Sequence, residues 1–235
     1  MEPTNSTKTT TILQALSELD NALQTNQQSL DLYVIGGFAL FYHKFRDDFN
    51  TNIDCIGPKP NQHILDLITQ IGQNHDLPLD WINWDCSYAD SITQFEDIVG
   101  PTPFCITNLT HQIHIYMPSA YNLIAMKLMA FDTELITLRT LGQFTRYQDL
   151  QDLTSLFDKS EYQLADFETY AKQHMISDKT LKILKRHLIN PDGTTEYIQS
   201  IQAKVHQQHY GGIKHVQSPT FMFLFAFDQE RSESI

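Results

Sequence analysis

Apolar positions follow three different rhythms along the chain. Over residues 9–26, Ile12, Leu13, Leu16, Leu19 and Leu23 recur every three or four positions, which predicts an amphipathic helix. Residues 32–35 are a short unbroken apolar run, the pattern of a buried strand. Gly36-Gly37 then breaks it, and residues 38–45 read as a helix beyond that turn. Residues 52–56 predict the next strand, stopped by Gly57-Pro58-Lys59-Pro60. Asn61 is placed to cap a helix running to about residue 73, with Ile64, Leu65, Leu67, Ile68 and Ile71 apolar. Partial alternation over 79–85 predicts a strand with Trp81 and Trp84 on opposite sides, so at most one of them enters the core. Residues 86–103 read as irregular or as a short helix, with a loop at Gly100-Pro101-Thr102-Pro103. "FCITNL" and "HQIHIYM" then suggest a hairpin turning near residues 108–112.

After Pro118 the rhythm changes. Helical periodicity runs through 119–131, 133–141, 146–158, 161–174 and 178–189. "INPDGT" at 189–194 interrupts it, and 195–209 resumes it. The pattern predicts an α+β protein: a mixed sheet flanked by helices over residues 1–118, then a mostly helical region over 119–235. The first eight residues are expected to fray. The late run "TFMFLFAF" is read as a strand or helix docking on the core.

Bulk properties narrow the class. With 235 residues, 41% hydrophobic and 19% charged, the chain is long and apolar enough to bury a core. A net charge of −12 leaves direct nucleic-acid binding without support and mildly favours a basic partner. The N-terminus is polar, and the longest apolar stretches are too short to span a bilayer, so no membrane role is expected. Cys55, Cys86 and Cys105 show no paired spacing, which suggests reduced thiols and a cytoplasmic setting.

The chemistry concentrates in "VIGGFALFYHKFRDDFNTNIDCI". A Gly-Gly turn ahead of a helix lets backbone amides approach phosphate closely. Asn52 and Asp54, two apart on a strand, point to one face. Elsewhere, His111 and His114 are three apart, as are His206 and His209. That spacing suits a metal only on a helix, and in a hairpin it puts His111 and His114 on opposite faces. Arg146, Asp149 and Asp152 follow i, i+3 spacing and are read as helix-surface ion pairs.

The strand, the Gly-Gly pair, the helix and the "NTNIDCI" strand together resemble the minimal nucleotidyltransferase superfamily, as found in abortive-infection and toxin–antitoxin proteins of bacteria. In that pattern an Asp-x-Asp follows the Gly-Gly. Here the first position of the pair lies 52 − 37 = 15 residues after the second glycine. "YNLIAMKLMAF" (Lys127, Ala130) and "RYQDLQDLTSLF" (Arg146, Asp149, Asp152, Leu153) resemble two further helices of the superfamily, so the likeness extends over residues 30–157. It implies a Mg²⁺–nucleotide site with Gly36, Gly37 and Lys127 toward the nucleotide. Asn52 and Asp54 are then implied as metal ligands, and Asp54 and His114 as catalytic groups.

The sequence departs from the superfamily at two of these positions. Asn52 stands where the first Asp is expected, and His114 stands at the position aligned with the third carboxylate. An amide oxygen can ligate a metal but brings no charge, a difference of several kcal/mol at an effective dielectric near 20. Asp54 alone is expected to retain weak Mg²⁺–nucleotide binding at most. Three readings follow. In the first, a degenerate site binds nucleotide or a protein partner with weak or no transfer. In the second, an active enzyme moves NMP from an NTP to a protein, tRNA or small molecule, with Asp54, Asn52 and either His114 or one of Asp85, Asp90, Glu96 and Asp97 holding the metal. In the third, the chain is a non-catalytic module of a toxin–antitoxin or phage-defence pair, working through a partner or a homodimer.

Overall fold

The computed structural model describes residues 5–49, 52–84, 104–106 and 111–210. Five short strands form one sheet: β1 (Leu30–Ile35), β2 (Ile53–Ile56), β3 (Ile82–Asn83), β4 (Phe104–Ile106) and β5 (Ile113–Met117), in the order β3-β2-β1-β5-β4. β1 is central. It runs antiparallel to β2 and parallel to β5, while β2 and β3 are parallel and β4 and β5 antiparallel. The hairpin expected from "FCITNL" and "HQIHIYM" is present, with Phe104 opposite Met117 and Ile106 opposite Ile115; its turn at 107–110 lies outside the described residues.

Alternation sorts the sheet into two faces. Leu32, Val34, Ile53, Cys55, Ile82, Ile113, Ile115 and Met117 are all buried and belong to one face, covered by α1 (Asn5–Thr25), α3 (Gln62–Asn74) and the later helices. The opposite face carries, by register, Asp31, Tyr33 and Ile35 from β1. Beside them lie Asp54 and Ile56 from β2, Asn83 from β3, and His114 and Tyr116 from β5. Tyr33 and Tyr116 stack there with ring centroids 5.0 Å apart.

The chain after residue 118 folds into α4 (Ala120–Leu141), α5 (Tyr147–Lys159), α6 (Glu168–Gln173), α7 (Asp178–Ile189) and α8 (Pro191–Tyr210), with a 3₁₀ turn at Leu164–Phe167. Two expectations are corrected here. The separate runs 119–131 and 133–141 are one helix, because no Gly or Pro interrupts them and a buried stripe from Leu123 through Phe131 to Leu138 continues across the supposed break. Pro191 does not delay α8 but opens it, since the first helical position has no use for an amide proton. Only Asn190 separates it from α7.

Caps fall where their residue types suggest. Asn61 accepts from the Ile64 amide at 3.1 Å at the start of α3. Ser119 and Ser177 do the same for α4 and α7. Ser177 N also donates to Asp132 of α4, and so does Thr180 Oγ1, which pins α7 to α4. Trp81 is the core tryptophan; it is fully buried, its Nε1 donates to Ile68 O at 2.9 Å, and Trp84 is half-buried. α3 makes room for the indole with Gly72, where a Cβ would stand 2.5 Å from Trp81 Cδ1. β3 therefore sits at the sheet edge on a fixed anchor, although only two of the six residues from 79 to 84 adopt strand pairing. "TFMFLFAF" and residues 86–103 lie outside the described residues.

Candidate functional site

The apolar run of β1 ends at Ile35, and the next residue is Gly36, with φ +66°, the left-handed region that glycine enters without steric cost. α2 (Gly36–Tyr42) begins there directly, so the glycine pair is the helix's first two residues. Antiparallel pairing sets Ile35 opposite Asp54. A Cβ on Gly36 would lie 3.0 Å from Asp54 Oδ2. Glycine at 36 thus serves two needs at once: the backbone conformation and room for a carboxylate against the strand–helix turn.

The other carboxylate oxygen is held by amides. Asn52 Nδ2 donates to Asp54 Oδ1 at 3.2 Å, and Asn83 Nδ2 donates to the same oxygen at 2.7 Å. Asn83 is the registered partner of Asp54 across β2 and β3. Asn52, Asp54 and Asn83 are all half-buried, so these bonds are only partly exposed to competition from water. Sequence reasoning missed Asn83. The residue was legible in "WINWD", but its role depends on parallel pairing between strands nearly thirty residues apart.

The structure does not bring His114 to this carboxylate. His114 is registered with Asp31, and its Nδ1 lies 2.8 Å from Asp31 Oδ1, both side chains about half exposed. Asp31 and Ile35 are four residues apart on β1, so the His114 end of the face is about 13 Å along the strand from the Asp54 end. Alternation buries Ile113 and Ile115 on either side of it, while His111 lies in the bend before β5 and not on the strand.

Lys127 sits in a separate charged cluster. Its ammonium donates to Asp149 and lies 2.7 Å from Asp152 Oδ2. Arg146 Nη1 donates to Asp149 Oδ2 at 2.9 Å. Arg46, in the segment after α2, lies 3.6 Å from Asp152 and 3.8 Å from Asp48. Asp149 and Asp152 are buried, so the expectation of helix-surface pairs is corrected: these acids face inward, where α4, α5 and the segment after α2 meet. Burial alone would raise the Asp149 carboxyl, but Lys127 and Arg146 outweigh it and hold the group below its ordinary value.

These placements decide what the site can hold. Asp54 is the only carboxylate in the described site, and both neighbouring amides turn their NH₂ groups toward it. Among the described residues no three His, Cys, Asp or Glu side chains are grouped to hold a metal ion. The described residues do not by themselves form a preformed two-ion centre. Asp85, Asp90, Glu96 and Asp97 lie outside the described residues.

Residues 11–182 match the family described as nucleotidyltransferase of unknown function (DUF6036). The chain belongs to this family. The match takes in every described strand, α2 with its glycine pair, and α4 and α5 with their charged cluster, and it ends within α7. The nucleotidyltransferase likeness read from the Gly-Gly spacing is thereby shown, and so is the α+β fold with its helical C-terminal part. No curated protein and no solved structure matches the chain. Among the described residues no helix is long and apolar enough to cross a membrane.

Proposed function

We propose that the chain is a nucleotide-binding member of its nucleotidyltransferase family in which transfer is weak or absent. One observation carries this reading. The strand–helix turn at Gly36-Gly37 and the carboxylate of Asp54 meet at one end of the sheet's second face, with Asp54 Oδ2 where a side chain at 36 would collide. A helix start offers unpaired amide protons to phosphate oxygens. Asp54 beside it accepts hydrogen bonds from a ligand or shares a cation that the phosphates already hold. Transfer requires the leaving pyrophosphate's charge to be offset and the acceptor hydroxyl to lose a proton. Two amides and one carboxylate supply little of either.

Isothermal titration of Mg²⁺–ATP and the other three Mg²⁺–nucleotides into the wild type and Asp54→Ala tests the reading. Saturable binding of at least one nucleotide that Asp54→Ala weakens is the expected result. Absence of heat with all four removes the nucleotide-binding proposal. Incorporation of labelled NMP into an acceptor, lost in Asp54→Ala, would instead establish an active transferase.

A further inference from the structure

The open question at this site is what the two amides do to Asp54. Both present Nδ2 to one oxygen, at 3.2 Å from Asn52 and 2.7 Å from Asn83. That orientation is dictated by chemistry: a flipped amide would press its carbonyl oxygen against an ionised carboxylate. An asparagine ligates a cation through that same carbonyl oxygen. With Nδ2 on Asp54 Oδ1, each amide has its carbonyl oxygen turned away from that oxygen, so ligating a cation bound there requires the amide to turn. The remaining oxygen, Oδ2, is directed at Gly36 and the start of α2.

We infer that Asn83 is a positioning residue that, together with Asn52, locks Asp54 as a hydrogen-bond acceptor, and that the site takes no divalent ion except one carried in by a nucleotide. The inference rests on the nucleotide-binding reading for the last clause only; the amide lock stands on geometry. Among the described residues a free ion arriving here meets one carboxylate, one oxygen of which already accepts two amide hydrogen bonds, and must break those bonds to gain neutral ligands. An ion bound to a triphosphate brings its own anionic oxygens and can approach Oδ2 with the lock intact.

The test uses Mn²⁺ alone as the probe, read by the electron paramagnetic resonance of bound ion and by thermal unfolding with and without Mn²⁺. The variants are Asn83→Asp and Asn52→Asp/Asn83→Asp. The wild type is expected to bind no Mn²⁺ at sub-millimolar concentration. The substituted proteins place like charges beside Asp54 and are expected to melt lower without metal. They should then bind Mn²⁺ on the order of tenfold or more tighter than the wild type and regain melting temperature with it. Asp54→Asn in the double variant should remove that recovery.

Wild-type protein that binds Mn²⁺ as tightly as the double variant overturns the inference. A folded double variant that Mn²⁺ neither binds nor stabilises does the same, because the amides would then be structural pegs. Should the double variant fail to fold, Asn52→Asp alone and the wild-type titration carry the same two outcomes. Failure of nucleotide binding leaves the Mn²⁺ result untouched, so the two readings fail separately.

Discussion

The fold keeps two polar clusters that differ in how they treat charge. At the end of the sheet one carboxylate, Asp54, is held by two neutral amides. At the junction of α4, α5 and the segment after α2, Arg46, Lys127 and Arg146 meet Asp48, Asp149 and Asp152, three cations against three anions. The first cluster leaves an oxygen facing a turn. In the second, charge is matched inside the protein, and Asp152 is 1% exposed. Balanced buried charge fixes geometry, because removing the shared Lys127 leaves Asp149 and Asp152 short of compensation. Among the described residues the amide-held carboxylate meets no cation, so it remains able to respond to a ligand.

Breaking the second cluster gives the largest expected effect. Lys127→Met strips the central cation from Asp149 and Asp152, and urea denaturation should show a loss of about 3–5 kcal/mol. The pH dependence follows from Asp149. Its folded value lies below the ordinary 3.8, so its contribution is complete above that value and is lost as pH falls through the lower folded one. Removing Lys127 raises the folded value, and acid unfolding monitored by circular dichroism should move to higher pH. An unchanged acid midpoint would place the cluster's worth elsewhere.

Gly36→Ala probes the first cluster at intermediate cost. A Cβ in the left-handed region costs about 1–2 kcal/mol, and here it also meets Asp54 Oδ2 at 3.0 Å. Nucleotide affinity in the titration above should fall further than stability measured in urea. A matched loss in both would reduce Gly36 to a backbone device.

The smallest effect belongs to histidines outside both clusters. Burial pushes His43 and His187 below 6.5, only partly offset by carbonyls of Pro118 for His43 and of Leu150 and Pro191 for His187. A folded value below the unfolded one means full stability above pH 6.5, lost as pH falls toward the folded values. Melting temperature should decline modestly from pH 7.5 to 5.5, and the decline should shrink in His43→Gln/His187→Gln.

Most of the architecture could be read from local pattern. The strand, glycine pair, helix and strand of residues 30–56 announce themselves by short apolar runs and by breakers, and the caps Asn61, Ser119 and Ser177 obey rules three residues long. Legibility failed where the deciding partner is distant in sequence. Asn83 gains meaning only from a parallel register with Asp54. His114 aligned with a catalytic position, yet its register assigns it to Asp31. Asp149 and Asp152 looked solvated because helical spacing shows which acids share a face but not what covers that face. Asp20 escaped notice entirely. It is buried on α1, and its carboxylate accepts from the amides of His111, Gln112 and Ile113 at 2.6–3.1 Å.

That carboxylate has a consequence for how the chain assembles as it is made. Asp20 leaves the ribosome more than ninety residues before the amides that will receive it. Over the same interval β1 acquires its antiparallel neighbour β2 early and waits for β5 to fill its other edge. α1 and the growing sheet therefore carry an open seam through much of synthesis, with Asp20 in water and one edge of the central strand unpaired. Closure has to wait for residues 111–113, which bring both the amides for Asp20 and the start of β5, the strand that pairs with the free edge of β1.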